Sequence, residues 1–283
     1  MRVLILAEDC NPKWPSLPVV GYKYAKAIAD QVDVTVVTQI RNKENIEKVG
    51  LGRADVVYID TEVIAAPLYK FAVALRGGQE VGWTMQIAIN YPSYLFFEWK
   101  VWNLFKDDLK QGKFDVIHRI TPMTPSIPSP MAEWSPIPFV LGPLNGNLPW
   151  PKFYESRKRR EKEWLSYVRN AYRVLPYSSA TYQKSACVLA AFNHTIADLP
   201  ESTQSKTINY PEVGIDPELF NLPEVRPKGQ MTILFAGRLV PYKMPEVVVR
   251  AFANSPILQN HKLQIIGEGP EREVLEKIIA EHH

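Results

Sequence analysis

The sequence is poor in cysteine, in long apolar runs and in net charge. Its 283 residues include two cysteines, Cys10 and Cys187, which cannot form a disulfide framework and lack the short spacing of a metal site. The reducing cytoplasm fits this composition best. No apolar stretch reaches 18 residues, and the run Val3 to Ala7 is too short for a signal peptide or a membrane span. The net charge of +3 is too small to indicate nucleic-acid binding.

Glycine is also modest, at 14 residues, whereas proline reaches 24. This balance predicts rigid, shaped loops rather than flexible linkers. The range 122–151 alone holds nine prolines and predicts a stiff loop system around one strand. With 46% hydrophobic and 22% charged residues, the chain should be globular, and its length predicts two domains.

The first two hundred residues alternate between short apolar runs and segments of helical periodicity. A helix is predicted over Gly21–Asp30, and the long aromatic stretch Ile64–Phe105 is predicted to form helices that cover a sheet. The unbroken apolar runs are typical of strands buried on both faces of a parallel sheet, so we predict a doubly wound α/β domain. The predicted strands are Val3–Ala7, Val32–Thr38, Val56–Ile59, Phe114–Ile117, Phe139–Leu141 and Cys187–Ala191.

Two segments leave a choice between a structural role and a surface role. The aromatic side chains of 64–105 fit core packing, or a face turned to lipid or to an acceptor. The segment Lys152–Arg173 carries a local charge of +5 beside an apolar stripe. It is either a solvated helix face or a helix that lies on an anionic membrane surface.

A second βα pattern follows residue 230. Strands are predicted over Thr232–Ala236 and Leu263–Ile266, and helices over Pro245–Ala253 and Pro270–Ala280. We therefore expect an N-terminal domain over 1–212, a linker over 213–230 and the start of a second domain over 231–283. Two βα units cannot build a full core, so this second domain should be incomplete.

The loop after the predicted strand 232–236 combines Gly237, Arg238 and Lys243. Two cations beside the N-terminus of a helix make an anion-binding arrangement that suits a diphosphate, because helix amides, a forked guanidinium and an ammonium all favour phosphate oxygens. The alternative is a pair of ordinary surface charges.

Four further positions are candidates for ligand contact. Gly267 and Glu268 follow the next strand, in a glycine-rich loop that departs from a dinucleotide fingerprint because Arg272 stands where Gly or Ala is needed. Gly21, at the predicted start of a helix, is either a ligand contact or a simple turn. His118 follows the strand predicted to end at Ile117, and it is either catalytic or structural.

Asn145 is the last candidate. It follows the strand Phe139–Leu141 within the loop Gly142–Gly146, which would bring its amide to the same sheet edge as His118.

The motifs FAGRLVPYK and IIGEGPER, preceded by VGIDPELF, resemble the nucleotide-sugar domain of retaining glycosyltransferase family 4. The N-terminal segments NPKWPSLPVVGY, FDVIHRITPMTPSIPSP and PFVLGPLNGNLPWP resemble a bacterial branch of the same family, so the similarity covers nearly the whole chain. The resemblance implies a GT-B fold of two Rossmann-like domains, with the acceptor on the first and the nucleotide sugar on the second.

By the same resemblance, Gly237, Arg238 and Lys243 would bind the donor diphosphate, and Gly267 with Glu268 would lie near the nucleoside. Gly21 and Asn145 would belong to the acceptor-side loops. The implied partners are a nucleotide diphosphate sugar and a glycan or lipid-linked hydroxyl acceptor, with no cofactor or metal, and the implied location is the cytoplasm or the inner membrane face.

Three departures from the family pattern stand out. Ile120 replaces the second histidine of a His-x-His pair that begins at His118, and Met244 replaces the glycine that usually follows Lys243. A glutamate-rich segment that the family carries later is not present in these 283 residues, so we expect little transfer activity from this chain. A non-catalytic binding module and a nucleotide-sugar epimerase remain as alternatives, whereas a dehydrogenase is disfavoured.

Overall fold

A computed structural model of the chain describes residues 1–75, 83–146, 172–215, 217–218, 220–221 and 229–282. The described residues divide into two compact units, the first ending at Gly214 and the second beginning at Ile215. The basic segment predicted to be helical, Lys152–Arg173, lies outside the described residues except for its last two positions.

The first unit is built on a parallel sheet of seven strands in the order β3-β2-β1-β4-β5-β6-β7. The chain moves outward in one direction from β1 to β3 and then in the other from β4 to β7, so the strand order reverses between β1 and β4. The strands are β1 Arg2–Ala7, β2 Asp33–Gln39, β3 Asp55–Ile59, β4 Val116–Thr121, β5 Phe139–Leu144, β6 Cys187–Ala190 and β7 Thr207–Asn209.

Helices cover both faces of this sheet. The α-helices among the described residues of this unit are α1 Leu17–Ala29, α2 Lys43–Val49, α3 Glu62–Leu75, α4 Trp83–Lys110, α5 Met131–Trp134, α6 Ser178–Lys184 and α7 Asn193–Asp198. Leu4 and Leu6 of β1 pack in the core on one face, and Val3 and Ile5 pack in the core on the other. This burial explains why β1 is a continuous apolar run.

Core packing, one of the two alternatives for the aromatic residues, is confirmed for part of α4. Tyr94, Phe97 and Phe105 are buried in the core on one face of the sheet, whereas Trp99 keeps half of its surface exposed and stacks on Phe96 with ring centroids 5.6 Å apart.

Within the described ranges, no helix combines the length and the apolar character needed to cross a bilayer.

The second unit contains a parallel pair of strands, β8 Thr232–Ala236 and β9 Lys262–Ile266, with helices α8 Pro245–Ala253 and α9 Arg272–Glu281. Val249 of α8 and Leu275 of α9 pack with Phe235 of β8 on one face of the pair. Leu234 and Ile266 stay more than half exposed on the other face.

Most predicted elements are confirmed, but three predictions near the candidate site are wrong. Helix α1 begins at Leu17, with Pro18 in its first turn, so Gly21 lies inside the helix and not at its start. Strand β4 runs from Val116 to Thr121, so His118 lies within the strand. Gly142 belongs to β5, which continues to Leu144 because that residue still pairs with Ala190.

Candidate functional site

In the second unit, the loops after β8 and β9 pack backbone against backbone. A Cβ placed on Gly267 would lie 1.9 Å from the carbonyl oxygen of Gly237, and one on Gly269 would lie 2.3 Å from that of Leu239. The amide of Gly237 donates to Ile266 O at 2.9 Å, and the amide of Leu239 donates to Glu268 O at 2.9 Å. Glycine is required here because the approach leaves no room for a side chain.

Lys243 brings positive charge to this pair of loops. Its Nζ atom lies 3.2 Å from the point that a Cβ on Gly237 would occupy, so the ammonium sits directly above the glycine. Arg238, next in the chain to Gly237, has an exposed side chain. The structure therefore places Lys243 beside Gly237 at the carboxyl end of β8, where the N-terminus of α8 follows.

Met244 adopts a backbone conformation in which the resemblance predicts a glycine. Its φ is 52° and its ψ is 47°, which is the left-handed region that glycine enters at little cost and methionine enters with strain. The turn between Lys243 and α8 thus uses a backbone conformation that a glycine would adopt more readily than the methionine does.

Glu268, the predicted nucleoside-side residue, is part of an exposed chain of ion pairs. Arg272 donates to Glu268 Oε1 at 2.7 Å and to Glu276 Oε1 at 2.9 Å. In the first turn of α9, this arrangement holds the Glu268 carboxylate beside the loop that contains Gly267.

In the first unit, the carboxyl ends of β1 and β4 are joined by short polar contacts. The amide of Asp9 donates to Thr121 Oγ1 at 3.0 Å, and the Thr121 hydroxyl donates back to Asp9 O at 3.1 Å. A Cβ on Gly21 would lie 2.2 Å from Asp9 O, so α1 approaches this loop closely. The structure thus brings Gly21 to the reversal of strand order, which is where ligands bind in open α/β sheets.

Glu8, which the sequence analysis missed, lies at the same edge. It follows β1 directly and is 6% exposed, and its Oε1 accepts a hydrogen bond from Gln39 Nε2 at 3.2 Å. Burial, reinforced by the negative charge of Asp9, raises the pKa of the Glu8 carboxyl to about 7. The sequence signal for it was present, since Glu8 and Asp9 end the first apolar run.

His118 is not at the sheet edge. Its side chain is buried, and its Nε2 lies 2.7 Å from the carbonyl oxygen of Gly142 in the neighbouring strand. Burial lowers the pKa of His118 to about 4, so the imidazole is neutral at physiological pH and, with Nε2 protonated, donates to that carbonyl. The position predicted for this histidine was wrong because β4 continues for four residues beyond Ile117.

Asn145 lies near a cavity at the carboxyl ends of β6 and β7. Its Nδ2 donates to Glu212 Oε2 at 2.6 Å, and its amide donates to Met123 O at 2.6 Å. The cavity has a volume of about 300 Å³ and is lined by Ala191, Phe192, Asn209, Pro211, Glu212 and Val213.

Over the part of the chain that the structure covers, no group of three or more His, Cys, Asp or Glu side chains is arranged to hold a metal ion.

Comparison with known proteins supports the assignment of the second unit and of the fold. Residues 221–283 match the model of the family described as glycosyl transferases group 1. No match was found among curated protein sequences. The resemblance to this group of glycosyltransferases is confirmed for the matched segment, whereas assignment to the retaining family 4 stays a prediction.

Among solved structures, the chain is similar to a glycosyltransferase from Rickettsia africae ESF-5, with a TM-score of 0.52 and 13% identity over 99% of this chain and 65% of that one. It also matches Acinetobacter baumannii MurG, with a TM-score of 0.46 and 14% identity over 99% and 65% of the two chains. This chain thus spans just under two thirds of the length of both. The likeness to the Rickettsia africae structure, together with the parallel sheet of seven strands, confirms the predicted α/β fold of the GT-B type.

Proposed function

We propose, from the match of residues 221–283 to glycosyl transferases group 1, that the protein transfers a sugar from a nucleotide diphosphate donor to a hydroxyl acceptor. The observation that carries the proposal is the position of the Lys243 ammonium above Gly237, where two glycine loops meet at the carboxyl ends of β8 and β9. The second unit would bind the donor, and the first unit would bind the acceptor.

The chemistry follows from the charge of the leaving group. When the bond between the sugar and the diphosphate breaks, negative charge accumulates on the diphosphate oxygens, and a fixed cation stabilises that charge more than it stabilises the bound donor. Lys243 and Arg238 would supply this charge, and Gly237 would let the diphosphate approach the backbone. Transfer with retention, in which the acceptor attacks the face that the diphosphate leaves, is part of the proposal.

His118 has no step in this proposal. The imidazole is buried within β4, and its Nε2–H is used by the bond to the Gly142 carbonyl, so this neutral ring has no proton left to donate to a sugar without breaking that bond. Its place in the first unit is better explained as a hydrogen bond between the neighbouring strands β4 and β5.

The proposal is tested by calorimetric titration of the chain with UDP, GDP and inorganic pyrophosphate. Lys243→Ala and Arg238→Ala should each weaken binding of the preferred ligand about 10-fold, because a hydrogen bond to a charged group contributes at least about 1.5 kcal/mol. Lys262→Ala is the matched control, since Lys262 is an exposed cation at the opposite end of β9. Equal binding by all four proteins would contradict the proposal.

Contact with a membrane through Lys152–Arg173 is a further part of the proposal and rests on the local charge of +5 in the sequence. A basic amphipathic helix binds anionic lipid, and the attraction weakens with salt. Sedimentation with vesicles of phosphatidylcholine and phosphatidylserine should carry the protein down at low salt and release it at high salt. Protein that stays in the supernatant at low salt would remove the membrane from the proposal.

A further inference from the structure

A solvent-open cavity lies at the carboxyl ends of β6 and β7 in the first unit. Its volume of about 300 Å³ is at the small end of the range for protein ligand pockets. Two of the residues that line it, Phe192 and Val213, keep 42% and 53% of their surface exposed, so a ligand can enter from solvent. In open α/β sheets, ligands bind outside the carboxyl ends of the strands, which is the edge that this cavity occupies.

The chain segment that follows β7 is anchored to the rest of the first unit at two points. The Tyr24 hydroxyl of α1 donates to the carbonyl oxygen of Pro211. Asn145 Nδ2, in the loop after β5, donates to Glu212 Oε2 at 2.6 Å. A site whose walls are fixed before the ligand arrives loses less conformational entropy on binding. The cavity therefore has a preformed wall, with the Glu212 carboxylate held in a defined position.

The polar side chains of the cavity present oxygens and no positive charge. Asn145 occupies Glu212 Oε2, whereas no donor among the described residues reaches Glu212 Oε1. Asn209 donates its Nδ2 to Asn193 Oδ1 at 3.2 Å, which leaves its own Oδ1 as a second acceptor. The described lining contains no Lys, Arg or His, so the Glu212 carboxylate would repel a phosphate or any other anion. These groups select a ligand that donates hydrogen bonds.

The other walls of the cavity select a ligand that also has an apolar face. Ala191, Pro211 and Val213 are apolar, and Phe192 supplies an aromatic ring. His194 stacks on this ring with centroids 5.4 Å apart and an angle of 10° between the ring planes, which holds it in place. The negatively charged face of an aromatic ring attracts weakly positive C–H groups. A sugar ring has a face of C–H groups and is surrounded by hydroxyl donors, whereas a hydrated metal ion has no apolar face.

We infer that this cavity binds a sugar ring of the acceptor, with Glu212 Oε1 accepting a hydrogen bond from one hydroxyl group and Phe192 contacting the C–H groups of the ring. Asn209 Oδ1 accepts a hydrogen bond from a second hydroxyl group. The inference rests on the proposed function, in which the first unit binds the acceptor, and it adds the place and the chemical class of that ligand.

The test is saturation-transfer NMR of the chain with the methyl glycosides of glucose, galactose, mannose and N-acetylglucosamine. At least one glycoside should bind the unchanged protein. Glu212→Gln and Phe192→Ala should each weaken its binding about 10-fold, because a hydrogen bond to a charged group and an aromatic contact each contribute about that factor. The glutamine keeps a carbonyl oxygen for Asn145, so this edge of the sheet should stay folded.

Two matched controls lie outside the cavity. Glu201→Gln changes an exposed glutamate that precedes the amino end of β7, and Trp99→Ala removes a half-exposed aromatic ring on α4. Both should bind the glycoside like the unchanged protein. Far-UV circular dichroism establishes that each variant is folded, and Phe192→Leu provides a second variant that keeps an apolar side chain without the ring and should also bind more weakly.

The inference is overturned if no glycoside binds the unchanged protein, or if Glu212→Gln and Phe192→Ala bind it as tightly as the controls do. Ethylammonium that binds through Glu212 more tightly than every glycoside would also overturn it, because the cavity would then be a cation site. Calorimetry with UDP and GDP tests the second unit separately. Diphosphate binding without glycoside binding contradicts this inference alone, and the reverse result contradicts the proposed donor site alone.

Discussion

Gly21→Ala provides a sharp test of the packing at the carboxyl end of β1, because local propensity and tertiary packing predict opposite outcomes. Gly21 lies inside α1, and replacing a glycine in a helix by alanine normally stabilises it by about 1 kcal/mol. The new Cβ, however, would lie 2.2 Å from the carbonyl oxygen of Asp9 and 3.0 Å from Cγ2 of Thr121.

Relief of this clash requires the backbone of the loop or of α1 to move, since the nearest atom belongs to the main chain. Such overpacking costs up to about 3 kcal/mol, and subtracting the helix gain leaves a net loss of about 2 kcal/mol. In a domain of this size the loss lowers the melting temperature by about 4–8 °C.

Urea denaturation followed by circular dichroism measures this loss directly. Lys23→Ala, at an exposed position of the same helix, is the control and should change the free energy of unfolding by less than about 0.5 kcal/mol. A Gly21→Ala protein as stable as the unchanged one, or more stable, would refute the close approach between α1 and the loop after β1.

Two further predictions concern His118 and Met244. The pKa of His118 is about 4 in the folded protein and near 6.5 in the unfolded chain, so the free energy of unfolding should fall by about 3 kcal/mol as the pH drops from 6.5 to 4. Urea denaturation of His118→Gln at several pH values should lack this part of the pH dependence. The same dependence in the variant and in the unchanged protein would contradict the prediction. Met244→Gly removes the strain of a methionine in the left-handed region and should raise the stability of the second unit by about 0.5–1 kcal/mol. Native-state hydrogen exchange of the α8 amides measures this change. Weaker protection of these amides in the variant would show that the turn is unstrained.

Much of the fold could be predicted from local sequence patterns. Continuous apolar runs such as Val3–Ala7 identify strands buried on both faces, because no solvated face requires polar alternation. The βα units of the second domain, with Pro245 in the first turn of α8, follow from periodicity and from the fixed backbone of proline. Gly237 and Lys243 could be associated because they flank a short loop, so that few residues separate them in the chain.

The site in the first unit depended on contacts between residues far apart in the chain. From the sequence alone, Glu8 is only the polar residue that ends a strand, whereas in the structure Gln39 of β2 lies beside it. The sequence likewise predicts His118 at the edge of the sheet, whereas in the structure it bonds to the Gly142 carbonyl of β5. Strand order and register set these pairings, and no local pattern encodes them. The sequence by itself therefore determined which segments form strands and helices, whereas the tertiary structure decided which polar side chains are satisfied in the core and which lack donors at the edge of the sheet.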